Sequence, residues 1–163
     1  RLEGVDVGDR FETVADEWEA RLDSDRAFYA FNDAHAMLAF VATQRHAAIA
    51  RLHANLALAA AGRDANAAMS RDVGIPVVRG IEAFGRGDHA AAVDLLEAVR
   101  PLAHRFGGSH AQRDVITLTL IEAALRGGMR RRAEHYIAER LAGKPGNRWG
   151  LRLAGRAEAI AAA

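Results

Sequence analysis

Apolar residues recur at spacings of three and four along almost the whole chain, and Gly, Asp, Asn and Pro interrupt them at short intervals. That is the period of amphipathic helices separated by turns. Asp9 followed by Glu12 predicts a capping box for a first helix over residues 10–22, with Phe11, Val14, Ala15, Trp18 and Leu22 on one stripe. A second helix is expected over 27–42, where Phe28, Phe31, His35, Leu38 and Ala42 share a face. A third is expected over 45–61, with Ile49, Leu52, Leu56 and Ala60 inward.

The run AFGRGDHAAAVDLLEAV at 83–99 predicts a helical hairpin: one helix ends at glycines, Asp88 caps the next, and Ala92, Leu96 and Val99 continue the buried face. The preceding helix contains Gly74, Pro76 and Gly80. Pro76 is expected to start or kink it, because its ring removes a backbone donor; Pro101 raises the same question before Leu102, Ala103 and Phe106. Gly107-Gly108 stop that element, and Ser109 with Gln112 predicts a capping box for a helix over 110–126. Gly127-Gly128 turn the chain again into a return helix marked by Ala133, Ile137 and Leu141. Pro145-Gly146 break it, and Trp149, Leu153, Arg156 and Ile160 trace a last amphipathic helix.

Composition sharpens the picture. Of the 163 residues 37 are Ala and only 6% are aromatic, which favours helices packed closely through small side chains and argues against a sheet. The 21 Arg and single Lys nearly balance the acids at a net charge of +1, so the field expected of a nucleic-acid binder is missing. The balance is uneven: residues 1–25 hold nine acids against three Arg, and residues 126–163 hold nine basic groups against three Glu. An acidic end and a basic end follow, and with them the hypothesis that copies align head to tail. Without Cys there are no disulfides and no thiolate metal sites. No apolar run approaches the roughly 20 residues of a bilayer span, so a cytoplasmic chain with no membrane partner is expected. The start at Arg1 without Met reads as a piece of a longer protein, packed against its missing N-terminal part.

The small residue early in each return helix falls at Ala48, Ala92 and Ala133, a period of 44 and then 41 residues. This exceeds the roughly 34 of a regular tetratricopeptide repeat. GDHAAAVDLL at 87–96 nevertheless resembles that repeat's turn and second helix, with Gly87 at the turn, Ala92 at the close approach and Leu96 in the interface; Gly80 fits the small position of the first helix. Three further stretches, RLEGVDVGDRF at 1–11, FNDAHAMLAF at 31–40 and GGSHAQRDV at 107–115, resemble the C-terminal half of the tetratricopeptide-repeat protein 38 family. The resemblance implies an all-α fold, an α-solenoid of antiparallel helix pairs with a C-terminal capping helix, forming one domain over 1–163. It implies no particular reaction, ligand or cofactor.

Candidate chemistry is sparse. His35 is a candidate general base or ligand, with Asn32 within helical reach; the plainer alternative buries it between Phe31 and Leu38, bonded to a neighbouring helix. Asp33 lies roughly 160° round the helix from His35 and forms no local dyad with it. In the segment 107–115, Ser109 and the free N–H groups of the helix start could hold a carboxylate or phosphate with Arg113 adding a cation, and His110 and Asp114, four apart, could pair. The plainer alternative is a helix stop followed by a capping box using Gln112. The other histidines, 46, 53, 89, 104 and 135, lack metal-ligand spacing and are expected as surface or cap residues. Arg126 with Arg130-Arg131-Arg132 reads as a solvated basic knot.

The expected function is therefore a protein-interaction scaffold, binding a partner peptide or helix on the concave face through Arg71, Arg79 and Arg113, with no metal and no cofactor. The alternative is a small-molecule-binding or enzymatic domain whose polar site gathers Asn32, His35, Ser109, His110, Gln112 and Asp114.

Overall fold

The computed structural model describes residues 2, 4–24 and 29–160, and among them every regular element is a helix. Arg1, Glu3 and Phe28 lie outside the described residues. The chain enters through a 3-10 turn at Gly8–Phe11 and continues as α1 (Glu12–Arg21), α2 (Ala30–Thr43) and α3 (His46–Ala60). Next come α4 (Ala65–Met69), a π-helical turn at Ser70–Gly74, α5 (Ile75–Gly85) and α6 (His89–Val99). A 3-10 stretch at Arg100–Phe106 leads to α7 (His110–Arg126), α8 (Arg130–Gly143) and α9 (Arg148–Glu158).

Local chemistry explains most boundaries. Asp88 caps α6 by accepting from the Ala91 N–H at 3.1 Å, with Gly87 at φ +79° making the turn before it. Ser109 and Gln112 close a reciprocal capping box at the start of α7, 2.9 and 3.3 Å long. Asn147 caps α9 by accepting from Gly150 N–H at 2.9 Å. The capping box expected at Asp9 is not made. The Glu12 N–H bonds the Asp9 backbone carbonyl instead, within a 3-10 turn that feeds α1 directly, and Asp6 accepts from the Gly8 N–H at 2.9 Å.

Pro76 falls in the first turn of α5, as a helix-starting proline does, yet the chain does not break there. Helical backbone runs from Ala65 to Gly85, and the turn just before the proline widens so that Ile75 N–H reaches back five residues to the Ser70 carbonyl. A proline ring collides with the carbonyl four residues earlier, and a π-turn there relieves the collision without ending the helix. Pro101, in contrast, sits where α6 tightens into the 3-10 stretch.

Consecutive helices pair: α2 with α3, α5 with α6, α7 with α8, and α1 and α9 lie against the two ends of the series. Between pairs, α5 packs on α2 and α7 packs on α6, so successive pairs are joined in different ways. Ala48, Ala92 and Ala133 are all fully buried early in α3, α6 and α8, and Leu96 and Val99 are buried with them. At Gly80 an added Cβ would sit 2.6 Å from Leu96 Cδ2, so the α5–α6 approach admits no side chain there. Ile49, Leu52, Leu56 and Ala60 are buried in α3 as their spacing predicts.

The expected stripe of α2 lies at the edge of the core. Phe31, His35, Leu38 and Ala42 are only partly buried, whereas Ala30, Ala34, Ala36, Met37, Ala39 and Phe40 are enclosed. Three helices surround α2, and alanine is what lets their backbones close on it from several sides. Part of the uneven charge is paired within the chain. Arg45, at the α2–α3 turn, meets Glu12, Asp16 and Glu19 of α1 at 3.0, 2.6 and 2.9 Å. At the other end the basic knot is engaged: Arg130 with Glu134 at 2.7 Å and Arg132 with Asp94 at 2.6 Å.

Candidate functional site

Two regions concentrate polar side chains away from these structural pairs. The first joins the start of α2 to the start of α7. Phe31 stacks on His35 at 4.3 Å between ring centroids and meets Phe106 edge-on at 5.7 Å. Gly107 and Gly108, at φ +84° and +68°, press so closely on Tyr29 and Phe31 that neither position has room for a Cβ. Arg105 adds an ion pair to Asp72 of the π-turn at 2.9 Å. The segments 31–40 and 107–115 thus touch through aromatic rings and glycine backbone.

His35 Nδ1 lies 2.7 Å from the Phe31 carbonyl. A carbonyl only accepts, so Nδ1 carries the proton and Nε2 is the nitrogen open to the surroundings in the neutral ring. The bond to a neighbouring helix expected for a buried His35 is replaced by this bond within α2. Asn32 is exposed. Asp33, 7% exposed, turns inward; its Oδ2 has no partner among the described residues, and burial pushes its carboxyl up to about 7.

Across the contact, Ser109 and Gln112 are spent on their capping box. Arg113 Nη1 donates to the carbonyls of Gly107 and Gly108 at 3.2 and 2.5 Å, and Nη2 reaches His110 Nδ1 at 3.3 Å. Asp114 faces the other way, into a two-point pair with Arg140 of α8 at 2.7 Å on each arm. The pairing considered between His110 and Asp114 is not made: each has a different arginine. Arg71 likewise donates to the carbonyls of Ala60 and Gly62, at 2.6 and 3.0 Å, closing the end of α3.

The second region is a cleft of about 390 Å³ with α5 as its floor and α3 and α6 as its banks. Ile75, Arg79, Glu82 and Arg86 line the floor, His53 and Ala57 one bank, Ala91 and Leu95 the other. Spacings of four, three and four put the floor residues on one stripe of α5. Glu82 ties the floor to the bank: it accepts from His53 Nε2 at 2.7 Å and from Arg86 Nη1 at 2.7 Å. Arg79 is exposed and makes no hydrogen bond or ion pair with any described residue. Of the three arginines expected to meet a partner, it alone has an uncommitted guanidinium.

Sequence reasoning had named Arg79 but not its company. His53 is among the histidines expected as surface or cap residues, and neither Glu82 nor Arg86 is among the expected site residues. The stripe 75, 79, 82, 86 was visible in the sequence; that its opposite neighbours would be the alanine-lined sides of α3 and α6 required the packing. Among the described residues no cluster of three or more His, Cys, Asp and Glu could hold a metal, and no helix is long and apolar enough to cross a membrane. No family model matches the chain, and no solved structure matches it.

Proposed function

We propose that this chain is a protein-interaction module: a tetratricopeptide-repeat-like α-solenoid of helix pairs with α9 as its capping helix, related to the tetratricopeptide-repeat protein 38 family, that takes a peptide or helix of a partner. The reading carries with it a cytoplasmic setting, no cofactor, and no nucleic-acid or membrane ligand. The single observation that supports it best is the cleft over α5, where an uncommitted arginine lies between Ala57 and His53 on one bank and Ala91 and Leu95 on the other. A solvated cation beside small apolar side chains is what a partial interface offers before its other half arrives. Arg71 and Arg113 are drawn into capping backbone carbonyls, which moves the weight of the proposal from the concave wall to Arg79.

A small-molecule or enzymatic reading draws on the open Nε2 of His35. It is the weaker reading, because His110, Arg113 and Asp114 are engaged with other groups and do not gather around that nitrogen. The test is site-specific photo-crosslinking in cells. A crosslinker at Ala57 is expected to give a discrete adduct that Arg79→Glu weakens, while one at Arg148 on α9 gives none. Equal, diffuse labelling from both sites would reject the interaction reading.

A further inference from the structure

Whatever enters the cleft meets more than Arg79. Ala57 lines the cleft, and the exposed Ala50 and Ala54 of α3 and Ala61 just past its end fall at spacings of four, three and four with it, so one lane of alanines runs along that helix. Across the gap α6 offers Ala91 and Leu95, both half-buried, and the exposed Ala98, again four and three apart. Side chains this small let another helix approach closely, because interaxial distance follows the bulk of the contact residues. At a rise of 1.5 Å per residue the α3 lane is about 16 Å long, enough for roughly three turns of a docked helix.

Charge decides what kind of helix. The acids of the floor and of α6 each have a partner: Glu82 has His53 and Arg86, Asp94 and Glu97 share Arg132 at 2.6 and 3.7 Å with the Tyr136 hydroxyl also donating to Glu97, and Asp88 accepts from the Ala91 N–H. Arg79 has no such partner. A guanidinium offers a carboxylate two parallel N–H donors, a geometry that an ammonium or a neutral amide partner cannot match.

Building on the interaction reading above, we infer that the α3–α5–α6 cleft receives an acidic amphipathic helix of a partner protein. Its apolar side lies on the two alanine-lined banks, and one Glu or Asp carboxylate sits on Arg79. The remaining polar face of that helix stays in water.

The probe is a synthetic helical peptide with one Leu/Ala lane flanked by glutamates, compared with Gln-for-Glu and Lys-for-Glu versions. Amide shift changes and fluorescence anisotropy on the whole chain read position and affinity. The glutamate peptide is expected to perturb α3, α5 and α6 and to bind about fivefold or more tighter than the glutamine peptide. Arg79→Glu should reverse the preference toward the lysine peptide, and Arg148→Gln should leave it unchanged. Ala57→Arg, which fills the lane from an exposed position, should abolish binding with helicity retained. Equal affinity for the glutamate and glutamine peptides would overturn the inference. So would shift changes confined to the Phe31–Gly108 region, although that outcome leaves the interaction reading standing with a different surface. Self-association of the chain alone, lost in Arg79→Glu, would make the occupant a second copy and overturn it as well.

Discussion

At the scale of single residues, two buried carboxyls have opposite consequences. Glu122 of α7 is 2% exposed and is bonded by Arg156 of α9 at 2.8 and 2.9 Å and by Arg126 at 2.8 Å. Burial alone would raise its carboxyl, but the two guanidinium groups outweigh that and hold it below the usual carboxylate range. A folded-state value below the unfolded one stabilises the fold above the ordinary Glu value and loses that contribution as pH falls through the lower, folded value. Glu122→Gln leaves two arginines without their acid and should cost about 2 kcal/mol in denaturant unfolding at neutral pH, discounted because Arg156 is 43% exposed. Asp33 works the other way. Raised to about 7 by burial, it favours the fold only while protonated, so stability should fall as pH rises from the unfolded Asp value toward 7. Asp33→Asn keeps the shape and removes that slope. Unfolding midpoints at neutral pH should rise by the equivalent of roughly 2–4 kcal/mol, with little change near pH 4. A mutant that loses stability at pH 7 would show that the carboxylate has a favourable partner after all.

At the scale of elements, the joints between helices matter more than the helices. The Gly107-Gly108 turn combines left-handed backbone with no room for a Cβ against Tyr29 and Phe31. Gly108→Ala should therefore destabilise by about 1–3 kcal/mol and loosen the contact between the start of α2 and the turn before α7, visible as faster amide exchange at the start of both helices. Ser109→Ala removes only one side of a cap, for about 1 kcal/mol. Capping signals of this kind were readable wherever side chain and backbone meet within a few residues: Ser109-Gln112 and Asp88 lie where spacing put them. Asp9 does not cap because it lies inside the 3-10 turn, where its backbone carbonyl receives the Glu12 N–H, an outcome that pattern alone does not rank. Pro76 was readable as a disturbance, yet the remedy was a widened turn inside a continuous helix. In α2 the aromatic stripe drew the eye, although alanine, through its small volume, marks the enclosed side.

At the scale of the whole molecule, the order of helices and the pairing of neighbours were legible because apolar spacing and glycine turns are local. Packing between pairs was not. The series α2, α5, α7 is joined once through α2–α5 and once through α6–α7, and this irregularity leaves the Arg79–Glu82–Arg86 stripe open between α3 and α6. The same irregularity explains why the arginines chosen from sequence diverge: side chains on equivalent helices do not face a common wall unless the repeat is regular. The proposed stack and its cleft therefore stand or fall on α5 lying beside α2 in register.

That register can be measured directly, because the chain has no cysteine of its own. A Cβ built at Gly85 would lie 3.3 Å from Val41 Cβ, close to the roughly 3.5–4.5 Å of disulfides. The double variant Val41→Cys/Gly85→Cys, oxidised at low concentration, should form one intramolecular crosslink rapidly and nearly completely, read as an intact-mass loss of two hydrogens. If it crosslinks no faster than Ala57→Cys/Leu151→Cys, the first helices of neighbouring pairs are not side by side, and the cleft between their partners does not exist as described.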